Sequence, residues 1–181
     1  MTTAASGTGV KLAMPAALTD RGFVLRPETE ADIAFLRRLY ISTRWEELAP
    51  VIDWTQAQKV AFLESQFAFQ RRHYRTYYPA TDWAILEQNG LPSGRFYVDR
   101  QETTLLVVDI ALLPEWRGRG IGTALMQAVC AEARQSGKKV GIAVEKSNPA
   151  QSLYRRLGFR EVADKGVYWS MEWHAAPDER T

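Results

Sequence analysis

"TLLVVDIALLPEWRGRGIGTALMQ", from Thr104 to Gln127, changes character at its middle. The first half is an almost unbroken apolar run, which predicts a strand buried on both faces. The second half turns to a helical pattern that continues to about Ser136, with Gly137 as its stop. Between them Gly118, Gly120 and Gly122 alternate with Arg117 and Arg119. A glycine in a helical turn costs about 1 kcal/mol relative to alanine, so three at a helix start call for a reason. The first turn of a helix presents unpaired N–H groups and about half a positive charge. Stripping it of side chains lets an anion reach those groups, and neighbouring arginines add charge. The stretch predicts a phosphate cradle; the alternative is that the glycines serve only a tight turn and close packing. No lysine followed by serine or threonine closes the loop, which excludes a Walker loop. The Gly-x-Gly-x-Gly spacing, late in the chain, also departs from a dinucleotide fingerprint.

Outward from this stretch the periodicities alternate. A short strand is expected over Phe23–Arg26. A helix follows through "ADIAFLRRLYIS", with Thr29 and Asp32 as a capping box and Ile33, Leu36, Tyr40 and Ile41 on one face. A second helical stretch runs from about Thr55 to Tyr78, carries Val60, Leu63, Phe67 and Tyr74 at helical intervals, and is stopped by Pro79. "DWAILEQ" and "SGRFYVDR" predict strands joined through Asn89-Gly90-Leu91-Pro92. After the long helix come a strand "KKVGIAV", a short helix "PAQSLYRRLG" and two closing strands, "FREV" and "VYWSMEW". The order β-α-α-β-β-β-α-β-α-β-β contains one crossover, which is parallel and right-handed if both its strands share a sheet. The expected class is α/β of the α+β type: a mixed, mostly antiparallel sheet with helices on both faces. A single domain over residues 21–174 is expected between a flexible tail, 1–20, and a short C-terminal tail, 175–181.

The bulk properties fit such a domain. The chain has 181 residues, 46% hydrophobic and 24% charged, with a formal charge of +2. That charge is too small to point to nucleic acid or an anionic membrane. No apolar run approaches the roughly 20 residues of a membrane span. "MTTAASGTGVKLAMPAALTD" lacks a basic start, and Pro15 interrupts its short apolar run, so no targeting peptide is expected. One cysteine, Cys130, excludes an internal disulfide framework and suits a reducing, cytoplasmic setting. The two histidines, His73 and His174, lie far apart without metal-ligand spacing, and no metal is expected.

Two motifs resemble the GNAT superfamily of N-acetyltransferases. The family signature is Arg or Gln, two residues, Gly, one residue, then Gly or Ala, here Arg117, Gly120 and Gly122. "NPAQSLYRRLGF", Asn148 to Phe159, is similar to the family's later motif, an Asn before a short helix that carries a Tyr and ends in Leu-Gly-Phe. The resemblance is strong over Leu105–Phe159, and the element order fits Arg21–Trp173. It implies that acetyl-CoA, as co-substrate, lies between the strand before the loop and the next parallel strand. Pantetheine would then pair with the backbone near Ile110, Ala111 and Leu112. The pyrophosphate would rest on the turn of Arg117, Gly118, Arg119, Gly120, Ile121, Gly122 and Thr123, and Asn148 would touch the pantetheine arm. Tyr154 matches the family tyrosine that approaches the sulfur, as general acid to the thiolate. Its other reading is a core residue of an amphipathic helix.

Aminolysis of a thioester needs a neutral amine, a polarised carbonyl and protonation of the departing thiolate. At pH 7 only about one alkyl amine in a thousand is neutral, so a base helps. Some family members carry a glutamate on the strand before the loop, where this chain has Leu106. Asp109 is the one acid inside "LLVVDIALL" and calls for a reason. It either takes the amine proton through water or bonds a backbone N–H or an arginine. Glu46 and Glu47 could reach the acceptor instead, or be solvated. His73, Tyr74, Tyr77 and Tyr78 lie where the family forms its acceptor wall, and they equally suit a buried aromatic face. Arg155 and Arg156 could meet the 3′-phosphate or simply face solvent. Cys130 is expected to be inert.

The reading is an acetyl-CoA-dependent transfer to a small-molecule amine or a peptide, without nucleic acid, membrane or metal. A homodimer through "VYWSMEW" is compatible with it. The rivals are a non-catalytic acyl-CoA sensor and an unrelated adenine-nucleotide binder.

Overall fold

In the computed structural model, which describes residues 10–176, one sheet contains β1 (Phe23–Pro27), β2 (Asp82–Gln88), β3 (Leu91–Arg100), β4 (Thr104–Leu112), β5 (Lys139–Glu145), β6 (Arg160–Lys165) and β7 (Tyr168–Trp173). Their order across the sheet is β1-β2-β3-β4-β5-β7-β6. Every neighbouring pair is antiparallel except β4 and β5. Five α-helices, α1 (Ala16–Thr19), α2 (Ile33–Arg44), α3 (Gln56–Tyr77), α4 (Ile121–Ser136) and α5 (Gln151–Arg156), complete it. On one face Ile121, Leu125, Met126 and Val129 of α4 pack with Phe96, Leu105, Val107 and Val140 of the sheet. On the other, Leu36 and Leu39 of α2 and Leu63 and Phe67 of α3 pack with Ile85. This is the expected mixed sheet with helices on both faces.

Two expectations about the ends change. Residues 10–20 are not a loose tail: Leu18 of α1 is 1% exposed and, with Leu12, joins the α4-side core. Val10 and Met14 pack against the same core, and burying one leucine contributes about 2 kcal/mol, so several apolar side chains together anchor the segment. Residues 1–9 of that expected tail, and 177–181 of the C-terminal one, lie outside the described residues. The closing strand β7 is paired on both edges, so it has no free edge to offer a second copy; β6 is the outer strand.

The entry to α2 is tied down electrostatically. Arg26 places Nη1 and Nη2 on the Asp32 carboxylate at 2.7 and 2.6 Å, and the Thr29 N–H donates to Asp32 at 2.8 Å. The guanidinium, chiefly through these bonds, holds the buried Asp32 carboxyl down at about 2. A carboxyl depressed in the folded state stabilises above its unfolded pKa, near 3.9, and that gain is lost as pH falls towards 2. Asp32→Asn is therefore expected to cost about 2 kcal/mol at pH 6, a gap that closes towards pH 2 when urea unfolding is measured at both.

The feature that organises the site is a bulge. β3 and β4 pair Tyr97 with Asp109 but Val98 with Val107, which leaves Val108 as an extra residue on β4. Before it, Leu105 and Val107 face the α4 side; after it, Ile110 and Leu112 do, while Ala111 and Leu113 face α2 and α3. Strict alternation from Val107 would have put Asp109 into the apolar α4 core. The extra residue moves it to the opposite face.

Candidate active site

The parallel pairing of β4 with β5 runs from Thr104↔Lys139 to Val107↔Ile142 and stops at the bulge. Beyond it Ala143–Glu145 pair only with β7, so the two strands part and a gap opens between them. The Leu113 N–H bonds the Ser93 carbonyl at 3.0 Å, so by alternation Ala111 also points its backbone groups at β3, and Ile110 and Leu112 point theirs into the gap. The backbone groups of Ala111 are thus turned to β3 rather than to the gap. The Leu112 carbonyl accepts from Arg117 Nε at 2.9 Å.

The glycine turn closes one end of the gap. Gly118 and Gly120 have φ of 69° and 76°, left-handed values that a side chain resists. A Cβ at either would meet open space, so the backbone turn and the room around it are what the glycines provide. The first bond of α4 runs from the Ala124 N–H to the Gly120 carbonyl at 3.0 Å, leaving the N–H groups of Ile121, Gly122 and Thr123 without an intrahelical acceptor. Arg117 leans away from the turn: its Nη2 reaches the Ser42 carbonyl and hydroxyl, both at 3.3 Å. Arg119 lies over Trp116, 5.2 Å from the ring centre, and its carbonyl accepts from Arg21 at 3.2 Å. Arg21 is thus a second guanidinium at the turn; 98 residues from Arg119 in sequence, it carries no local signal. Gly120→Ala is expected to destabilise the protein by about 1 kcal/mol in urea unfolding, because the left-handed turn resists a side chain.

Tyr154 and Asp109 lie on opposite faces of the sheet. Tyr154, on α5, is 4% exposed and packs against Phe159 in the α4-side core. Burial first, and the Asp109 charge second, push its hydroxyl up to about 12. Asp109 Oδ2 accepts from Arg95 Nη2 at 2.6 Å and from the Tyr74 hydroxyl at 3.1 Å. Arg95 is itself 4% exposed and also donates to Gln70 at 2.9 Å. Of the two roles expected for Asp109, the arginine partner is the one the structure displays. Protonating this carboxylate would strand a buried guanidinium, which argues against its acting as a base.

Beside this pair sits a second buried carboxylate the sequence gave no sign of. The Glu28 side chain is fully covered and accepts from Arg71 at 2.5 Å, Arg75 at 2.7 Å and the Tyr97 hydroxyl. Arg75 in turn lies 4.1 Å from the centre of the Trp83 ring. The cluster braces α3 against the sheet.

The weaker expectations sort by location. Of the four aromatic residues on α3, Tyr74 alone bonds Asp109; His73 and Tyr77 stack on each other at 4.5 Å on the exposed side, and Tyr78 is half-buried. Asn148 is exposed and its Oδ1 accepts from the Ala150 N–H at 2.9 Å, a local turn before α5. Arg155 is engaged by Glu161 at 2.5 Å, and Arg156 is exposed. Glu46 is exposed, and Glu47 pairs with Arg44 at 2.9 Å. Leu106 packs beside Gly141 ahead of the bulge. Burial pushes the Cys130 thiol up to about 11, which keeps it a thiol.

Comparison with known proteins agrees with this geometry. A family model described as an acetyltransferase (GNAT) domain matches residues 79–161. An N-alpha-acetyltransferase of Sulfurisphaera tokodaii is 46% identical over 59 residues, 31% of this chain and 35% of that protein. An uncharacterized N-acetyltransferase of Methanocaldococcus jannaschii is 29% identical over 126 residues, 55% of each chain. The matched stretches thus span about a third and about half of these two curated relatives. The crystal structure of the PaiA N-acetyltransferase of Thermoplasma acidophilum, in complex with coenzyme A, superposes with a TM-score of 0.63 at 14% identity, over 84% of this chain and 99% of that one. With this sheet and this turn, residues 79–161, just under half of the chain, are similar to the acetyltransferase (GNAT) domain family.

Proposed function

We propose that the protein is an N-acetyltransferase that passes the acetyl group of acetyl-CoA directly to an amine. The observation that carries the reading is the parting of β4 and β5 immediately beside the left-handed glycine turn. The gap offers backbone groups of Ile110 and Leu112 to the pantetheine arm, with Asn148 on its far side. The turn from Arg117 to Thr123 offers N–H groups and the Arg21 and Arg119 charges to the pyrophosphate. Coenzyme A in the Thermoplasma PaiA structure supports the donor assignment.

The neutral amine attacks the thioester carbonyl, the carbon–sulfur bond breaks, and the amine proton leaves to water. Tyr154, protonated across the physiological range, donates its hydroxyl hydrogen to the developing thiolate and regains a proton from the water that took the one lost by the amine. Asp109 positions Arg95 and Tyr74 rather than taking the proton. The acceptor is a small-molecule amine or a peptide amino group; the Sulfurisphaera relative, an N-alpha-acetyltransferase, favours the second. No helix among the described residues is long and apolar enough to cross a membrane.

The test is release of free thiol from acetyl-CoA in the presence of a panel of alkylamines and unblocked peptides. Acceptor-dependent release is expected with at least one class. Tight acetyl-CoA binding without release from any acceptor would overturn the reading in favour of an acyl-CoA sensor.

A further inference from the structure

Glu145 is the last residue of β5 and stands across the gap from β4. Val140, Ile142 and Val144 face the α4-side core, so by alternation Glu145 points to the α2–α3 face, the face on which Asp109 lies. Three residues beyond the partner of Val107, it stands at about the level of Ile110. Its Oε1 accepts from Arg44 Nη1 at 2.7 Å and from the Tyr168 hydroxyl at 3.2 Å. Arg44 ends α2, which packs on β3 and β4, so this ion pair reaches over the opening from one parted strand to the other.

Two of the carboxylates on this face, Asp109 and Glu145, are not equivalent. Asp109 is neutralised by Arg95, which is buried between sheet and helix and has nowhere to go. Glu145 is neutralised by Arg44, which is partly exposed and already holds a second carboxylate, Glu47, at 2.9 Å. Arg44 can therefore leave Glu145 without becoming unpaired. An incoming cation that replaces it exchanges one charged hydrogen bond for another, with no charge left stranded.

We propose that Glu145, with the Tyr168 hydroxyl, receives the ammonium of the acceptor amine, and that Arg44 occupies this place until the acceptor enters. The proposal rests on the acetyl-transfer reading and names the acceptor chemistry of that site: a primary ammonium, on a free alkylamine or at a peptide N-terminus, which gives one proton to water before the neutral amine attacks.

The experiment measures acetyl-CoA-dependent thiol release by the full chain with a simple diamine and with an unblocked tripeptide; the arm with the lower KM identifies the source of the ammonium. In Glu145→Gln the KM for the amine is expected to rise at least tenfold, with kcat and the KM for acetyl-CoA within twofold of the parent. Arg44→Ala is not expected to raise the amine KM, and the double variant keeps the raised value. An unchanged KM in Glu145→Gln, or equal increases in both single variants, overturns the proposal, the second outcome making the pair a structural tie. Thermal unfolding reports whether each variant folds; Glu145→Asp, which withdraws the charge by one methylene, serves if the glutamine variant does not. Wild-type protein that binds acetyl-CoA but releases no thiol with either probe overturns the acetyl-transfer reading itself. Turnover with an indifferent Glu145→Gln sinks this inference alone.

Discussion

Asp109→Asn is expected to destabilise the protein by about 3 kcal/mol in urea unfolding at pH 7. The carboxylate is the counter-charge of Arg95, whose side chain is 5% exposed, at an N–O distance of 2.6 Å. Removing one member of a buried pair leaves the other charged in a poor solvent, and the loss commonly reaches 3–5 kcal/mol. The lower end applies because an amide oxygen still accepts one bond from the guanidinium. Replacing both partners by apolar residues of similar volume, Arg95→Met with Asp109→Leu, is expected to restore much of the loss. The same variant decides the catalytic question. A stable Asp109→Asn protein with abolished turnover would make Asp109 the base. An unstable one that still turns over within a fewfold of wild type, assayed below its melting point, makes it the brace described above.

Tyr154→Phe is expected to lower kcat by at least tenfold, towards the roughly hundredfold typical of a lost general acid, with acetyl-CoA affinity within twofold. Phenylalanine keeps the ring that packs on Phe159, so the fold loses little. The pH profile carries the mechanism. A hydroxyl raised to about 12 stays protonated throughout the assay range, so the wild-type to variant ratio is expected to be flat from pH 6 to 10. A ratio that falls between pH 7 and 9 would place the working pKa elsewhere and remove this account. The high value also bears on how the proton moves. A phenol near 12 is a weaker acid than an ordinary thiol near 8.5, so complete transfer is uphill for a solvated thiolate. It becomes feasible as the desolvation that raises Tyr154 raises the thiolate beside it. A strong donated hydrogen bond to the departing sulfur is the minimum Tyr154 supplies.

Element order was legible because each element carries its own period and its own stop: Pro79 after α3, Gly137 after α4, the Asn89-Gly90 turn between β2 and β3. The glycine turn was legible for the same reason, since Gly118 and Gly120 answer to local backbone geometry. α1 was not, because four residues after Pro15 are too few to show a period. The bulge was hidden inside "LLVVDIALL", where uniform apolar character conceals which residue faces where. Arg95 and Glu145 escaped because their meaning depends on partners brought by strand register and helix placement, Asp109 for one and Arg44 for the other. The glycine-turn half of the candidate site is therefore written in contiguous motifs. The half around Asp109 and Glu145 is assembled from β4, β5, β7 and two helices.

The one-residue slip at Val108 has an evolutionary reading. By sending Ile110 and Leu112 to one side of the sheet and Asp109 and Ala111 to the other, it works as a partition between two inheritances. The face that α2 and α3 cover can therefore change around Asp109 without entering the apolar core beneath α4.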